Sequence, residues 1–146
     1  MKLASVFLLG FLFAATLPAG GLDEARAEPN LEKRSALALE NAVAALKDLR
    51  AAYNSGDLPT CKAKATEIRD SVELAYASLE QTGKDPRRSP KWFKHAEIES
   101  DGLVRSIQAV QHDMSFDDRP LLDKTREKVE QIHDNLLAGL MGGKKK

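Results

Sequence analysis

Cysteine is almost absent from this 146-residue chain, in which Cys61 is the only one. A lone cysteine excludes an intramolecular disulfide, so the fold must be stabilised by packing rather than by a covalent cross-link. Net charge is also absent, because 22 basic side chains balance 22 acidic ones. Global charge therefore gives no reason to expect a specific nucleic-acid partner.

Long apolar runs are missing except at the N-terminus. Lys2 supplies a positive start, residues 3–17 are apolar, and the Ala-Arg-Ala triplet at 25–27 offers small residues to a signal peptidase. The apolar run is short for a membrane span of roughly 20 residues. The sequence predicts a signal peptide over residues 1–27, cleaved near Ala27, with an uncleaved anchor as the alternative. We therefore expect an exported protein, periplasmic or secreted, with no transmembrane segment in the mature chain.

The rest of the chain contains four segments with the apolar spacing of amphipathic helices. They predict helices over about residues 31–54, 58–82, 90–114 and 119–140. The two clearest stripes have alternating spacings of three and four, and their members are Leu58, Cys61, Ala65, Ile68, Val72, Ala75 and Leu79, then Phe93, Ala96, Ser100, Leu103, Ile107, Val110 and Met114. The looser ones are Leu39, Ala42, Leu46, Leu49 and Tyr53, then Leu122, Thr125, Val129, Ile132, Leu136 and Leu140, with Val43, Leu121 and Leu137 as flanking apolar residues.

Turn and cap residues lie between these segments. Asn30 and Asp57 are suited to cap the first two helices, and Ser89-Pro90 and Asp117 or Asp118 the next two. Gly56, Gly83 and Gly142 follow the ends of the first, second and fourth helices, where a left-handed residue is favoured. No segment alternates as a strand would.

Short loops between long helices predict the topology. A helix of about 24 residues is about 36 Å long, so each helix must turn back beside its predecessor. The sequence thus predicts an all-α, antiparallel up-down-up-down four-helix bundle over residues 28–146, with a short Gly/Lys tail and a signal peptide before it.

This topology would separate the charges onto two ends. We call the segment from Lys84 to Lys94 the basic end, expected near Lys33, Arg34 and the tail lysines 144–146. The acidic end comprises Asp57, Asp113, Asp117 and Asp118, beside Arg119. The candidate partner-binding residues of the basic end are Lys84, Arg87, Arg88, Lys91, Trp92 and Lys94.

The basic end gives the leading functional hypothesis. Trp92 is one residue off the apolar stripe and is expected to face outward between Lys91 and Lys94. Cations beside an aromatic ring can bind phosphates, acidic polysaccharide, an anionic membrane surface or a protein partner. The alternative is that these cations only stabilise a helix dipole and keep the protein in solution. Self-association of the basic and acidic ends is a further possibility.

Metal and haem binding is the alternative function. Glu130 and His133 have the spacing of the Glu-x-x-His element of di-iron bundles, but no second element accompanies them. Cys61, His112 and Met114 would suit copper, but His112 and Met114 lie roughly 200° apart around one helix. No haem-attachment motif and no converging catalytic set is present. We predict no cofactor and a non-enzymatic protein.

Several short patterns occur together in the second half of the chain. They are Ser89-Pro90-Lys91-x-Phe93-Lys94-x-Ala96-Glu97, Asp118-Arg119-Pro120, His133-Asp134-x-Leu136-Leu137 and Gly139-Leu140-Met141 before the lysine tail. In this combination the chain resembles small exported bacterial helical-bundle proteins of uncharacterised function. The resemblance implies a helical bundle, and it implies nothing about catalysis. It is similar to periplasmic helical stress chaperones only in size and export, because their Leu-Thr-x-x-Gln repeats are missing.

Overall fold

The computed structural model describes residues 21–143, and every element in that range is helical. The elements are α1 (Leu22–Ala27), α2 (Leu31–Asn54), α3 (Leu58–Gln81), α4 (Pro90–Asp113), a 3-10 turn (Arg119–Leu122) and α5 (Asp123–Met141). The first 20 residues of the predicted signal peptide lie outside the described residues, but its last residues, 21–27, lie within them.

Local cap chemistry sets the starts of α2 and α3. The Asn30 side chain accepts a hydrogen bond from the backbone N–H of Lys33, and the Asp57 side chain accepts one from the N–H of Thr60. Each cap satisfies a donor that has no partner inside its own helix. Gly56, after α2, has a φ of 76°, a left-handed conformation that a residue with a side chain rarely adopts.

The other two predicted caps behave differently. Ser89 precedes Pro90 at the start of α4, but its side chain makes no capping hydrogen bond. Asp118 does not cap a regular α-helix either, because a 3-10 turn containing Pro120 comes first and α5 begins only at Asp123. The Asp118 carboxylate instead accepts hydrogen bonds from Tyr53 and Ser115, so it connects two parts of the chain.

Four long helices, α2 to α5, pack against one another around a shared core. All members of the stripes of α3 and α4 are buried except Leu58, which is half-buried. Val43 and Leu137, predicted to widen the buried faces of α2 and α5, are instead 45% and 38% exposed. The buried face of α2 is instead widened on its other side, where Ala38, Asn41 and Ala45 are buried.

Polar residues within the stripes are satisfied by backbone carbonyls. The buried hydroxyl of Thr125 on α5 donates to the carbonyl of Ala65 on α3, with an oxygen–oxygen distance of 2.9 Å. Ser100 donates to the carbonyl of Glu97 in its own helix. These bonds remove most of the cost of burying a hydroxyl, so the polar seam positions are compatible with a packed core.

None of the helices between residues 21 and 143 combines the length and the apolar character needed to cross a bilayer.

Candidate functional site

The basic end is built on an ordered turn between α3 and α4. The backbone N–H groups of Arg88 and Ser89 donate to the carbonyl of Asp85 at 3.1 and 2.9 Å, and the N–H of Arg87 donates to its carboxylate at 2.9 Å. The ring of Pro86 lies against Gly139 near the end of α5, where an added Cβ would come within 3.3 Å of it. The turn is thus fixed both by its own hydrogen bonds and by packing against another helix.

Two arginines of this turn remain open to solvent. The side chains of Arg87 and Arg88 are 63% and 89% exposed. Asp85 is the acid nearest to them, and its oxygens lie 3.9 and 4.0 Å from their Nε atoms. Exposed pairs at such distances contribute little, so both guanidinium groups are available to an external anion.

Lys84 has a different role from its neighbours. Its Nζ lies 2.5 Å from a carboxylate oxygen of Glu32 in the first turn of α2, and the Glu32 side chain is only 22% exposed. This pair ties the turn to α2. Of the predicted binding residues, Lys84 is therefore the one held in a close ion pair with another helix.

Trp92 lies at the boundary between the core and the basic end. It is half-buried and packs against the core, whereas the sequence led us to expect it to face outward. The Nζ of Lys91 lies 5.1 Å from the centre of the Trp92 ring, within the range of a cation–π contact. His95 meets the same ring edge-on, with centroids 6.1 Å apart. The indole ring therefore contacts the Lys91 ammonium group, and the nearby Lys94 is exposed.

Two of the remaining cations predicted near the basic end lie in α2. The Nε of Arg34 donates to the backbone carbonyl of Glu28 at 2.8 Å, which orders the chain just before α2. Lys33 is exposed, and Lys144 to Lys146 lie outside the described residues.

At the acidic end, carboxylates are engaged within the protein. Asp57 accepts hydrogen bonds from the hydroxyl and the N–H of Thr60, and these lower its pKa. Asp113 lies 2.7 Å from Nη2 of Arg50 on α2, and this hydrogen bond is the main reason that the pKa of Asp113 is lowered. Asp117 is exposed.

Tyr53 is the centre of the acidic end, and the sequence did not single it out for this role. Its hydroxyl donates to the Asp118 carboxylate and accepts from the N–H of Ser115, each at 2.9 Å. The Ser115 hydroxyl also donates to Asp118 at 2.8 Å. One phenol thus connects the end of α2 to the segment between α4 and α5. Its position on the apolar stripe next to a loop was the available signal.

The metal-binding alternatives find little geometric support. The carboxylate of Glu130 lies 3.4 Å from Nε of Arg126, and Nε2 of His133 lies 3.0 Å from a carboxylate oxygen of Glu97. Within residues 21–143, no group of three or more histidine, cysteine, aspartate or glutamate side chains is placed to hold a metal ion.

The three copper candidates differ in their exposure to solvent. Cys61 is buried, and its thiol contacts the carbonyl of Leu49 at 3.5 Å. Burial, followed by the charges of Asp57 and Asp118, raises the pKa of this thiol, which disfavours the thiolate that a metal would need. His112 is exposed and Met114 is buried.

Comparisons of the chain with protein-family models, with curated proteins and with solved structures found no match.

Proposed function

We propose that this protein is an exported, non-enzymatic interaction module that binds a protein partner or an anionic surface through its basic end. One observation carries the proposal. Arg87, Arg88, Lys91 and Lys94 are exposed on an anchored turn and the helix start that follows it, whereas carboxylates at the acidic end have partners within the protein.

The proposed bundle runs up-down-up-down, with successive long helices antiparallel. Two contacts between α2 and α3 support this order, since Asn41 pairs with Ser71 whereas the later Leu49 pairs with the earlier Cys61. For α4 and α5, Glu97 contacts His133 and Gln111 contacts Asp123, so later positions again meet earlier ones. This order would place the basic end and the acidic end at opposite ends of the bundle.

Binding at the basic end would combine charge with a fixed geometry. Guanidinium groups bind carboxylate or phosphate oxygens through two parallel hydrogen bonds. The start of α4 adds the positive end of a helix dipole next to Lys91. Because the turn is already ordered by Asp85 and by the Pro86 contact, little conformational entropy would be lost when a partner binds.

The export part of the proposal rests on the N-terminal pattern of Lys2, the apolar run and the small residues after it. It puts the working compartment in the periplasm or outside the cell. Binding there would have to persist at the ambient salt concentration, where charges more than about 8 Å apart are largely screened. Close contact with several cations at once would therefore be needed.

Crosslinking pull-down from the native compartment tests the function. The test variant carries Arg87, Arg88, Lys91 and Lys94 as alanine, and the matched control carries Lys47, Lys62, Arg105 and Lys124 as alanine. Both lose four exposed cations, but the control loses one from each long helix. We expect the test variant to lose its captured partners and the control to retain them.

A parallel arm uses phosphatidylglycerol vesicles as the anionic surface. Each basic residue near such a surface contributes about 1 kcal/mol, so the test variant should bind them up to several hundredfold more weakly, as an order-of-magnitude estimate. If neither crosslinked partners nor vesicle binding distinguished the test variant from the control, the proposed role of the basic end would be wrong.

A further inference from the structure

The short helix α1 is part of the folded domain, although it lies within the predicted signal peptide. Ala25 in its centre is completely buried and belongs to the core cluster. α1 contacts both α2 and α3. A signal peptide is removed before the domain folds, so its residues are not expected in the core. The burial of Ala25 therefore indicates that the signal peptide ends before α1.

Gly21, immediately before α1, lies against α2 in the uncleaved chain. Its φ is +93°, and a Cβ added to it would lie 2.8 Å from Oδ1 of Asn41 on α2. This contact marks where the chain enters the bundle, and it is lost when cleavage removes Gly21.

Beneath this contact is a polar cluster that joins α2 to α3. The amide nitrogen of Asn41 donates to Glu67 at 3.1 Å and to the buried hydroxyl of Ser71 at 2.9 Å. Lys64 donates to the second carboxylate oxygen of Glu67 at 2.9 Å. Burial alone would raise the pKa of Glu67, but the bonds from Lys64 and Asn41 outweigh it and lower that pKa. The charge of Asp23 on α1 acts on that pKa in the opposite direction, so α1 lies beside this cluster.

The connection from α1 to α2 is ordered as well. The backbone carbonyl of Glu28 accepts the Arg34 guanidinium, and its carboxylate accepts the N–H of Asn30 at 3.1 Å. Cleavage after Ala27 would place a new positive terminus on Glu28, next to Arg34. It would also remove Ala25 from the core and take α1 away from the Glu67 cluster.

We infer that the leader ends at Gly21 and that α1 remains in the mature protein. Ala19 and Gly21 supply small residues at the third and first positions before the bond, as a signal peptidase requires. In the cleavage, water adds across the Gly21–Leu22 amide: the carbon–nitrogen bond breaks, Gly21 gains a carboxylate and Leu22 an ammonium group. This inference rests on the proposed export and replaces Ala27 as the cleavage position.

Intact mass spectrometry of the exported protein, expressed as the full chain in a bacterial host, tests the inference. We expect a mature chain that begins at Leu22. A chain beginning at Glu28 would overturn the inference and leave export intact. A start at Gly20 would retain α1 but overturn the assigned bond. A full-length chain kept inside the cell would overturn export, and this inference with it.

A matched pair of substitutions separates the two cleavage positions. Ala27 is exposed on α1, so Ala27→Gln leaves the packing unchanged but removes the small residue that cleavage after position 27 needs. We expect Ala27→Gln to be processed normally, and Ala19→Gln to lose the mature species and accumulate precursor. The reverse pattern in pulse-chase labelling would refute cleavage at Gly21.

Discussion

The basic end and the acidic end of the bundle both contain several charged residues, but these residues make different contacts. At the acidic end, Asp57 caps a helix, Asp113 pairs with Arg50, and Asp118 accepts two hydroxyl groups. At the basic end, Asp85 shapes the turn and Lys84 ties it to α2, but the arginines that follow are directed into solvent. Charge at one end takes part in contacts within the protein, and the arginines at the other remain exposed to solvent.

The comparison shows that a sequence count of charges is a poor guide to a binding surface. Both ends contain several charged residues, and the sequence analysis favoured the basic end because Trp92 lies among its cations. Partner geometry distinguishes them, because Asp57, Asp113 and Asp118 each accept hydrogen bonds from groups of the protein itself. An arginine whose nearest acid is 4.0 Å away keeps most of its donors.

Among the substitutions that test this comparison, truncation of Tyr53 should change the free energy of unfolding most. Tyr53→Ala removes a half-buried ring and the hydroxyl that joins Ser115 and Asp118, and should lower the free energy of unfolding by about 3 kcal/mol. Tyr53→Phe keeps the ring and should account for about 1–2 kcal/mol of that loss. Chemical denaturation measures both changes.

The matched substitution at the basic end is Arg88→Ala. Its side chain is 89% exposed, so its removal should change the free energy of unfolding by less than about 0.5 kcal/mol. If Arg88→Ala destabilised the protein as much as Tyr53→Phe, the contrast between the two ends would be lost.

Acid should weaken the contacts of the acidic end, which is an intermediate effect. The pKa values of Asp57 and Asp113 are lowered in the folded protein, so their contribution is present above their unfolded pKa and is lost as the pH falls through the folded one. We expect thermal stability to fall as the pH drops below about 4, the ordinary pKa of aspartate, and on through the lowered values of the folded protein.

Arg50→Ala provides the control for this acid effect. Without the guanidinium, the pKa of Asp113 should rise toward its ordinary value, as a carboxyl NMR titration would report, and thermal stability should depend less on pH in the acid range. An unchanged Asp113 titration would show that the Arg50 contact is not formed in solution.

The smallest effect on stability is expected from the alanine variant of Arg87, Arg88, Lys91 and Lys94. Replacing four exposed cations should shift the free energy of unfolding by no more than about 1 kcal/mol, because surface substitutions individually have small effects. Trp92 is retained, so the core contact beneath Lys91 is kept. A cooperative loss of several kcal/mol would mean that the basic end is a structural element.

Local features of the fold were accessible from the sequence, and long-range contacts were not. The caps at Asn30 and Asp57 and the buried stripe from Cys61 to Leu79 follow from residue type and spacing alone. The Tyr53–Asp118 bond joins residues 65 positions apart, and periodicity contains no information about which loop a side chain will meet.

The N-terminal segment illustrates a second limit. The Ala-Arg-Ala triplet placed residues 22–27 in the predicted signal peptide, and the structure packs Ala25 of this segment into the core. A six-residue helix has too few positions to show an apolar period, so its packing was visible only in the structure. Trp92 is a further example. It lies one residue beside the apolar stripe of α4, and only the structure shows that it is half-buried against the core.

Site-specific photo-crosslinking in living cells tests the central claim most directly. A photoreactive residue replaces Ser89 at the basic end or Phe116 beside the acidic end, which are both exposed and uncharged. The account predicts crosslinked adducts from position 89 that disappear when Arg87, Arg88, Lys91 and Lys94 are alanine, and few from position 116. Adducts from position 116 with none from position 89 would contradict it.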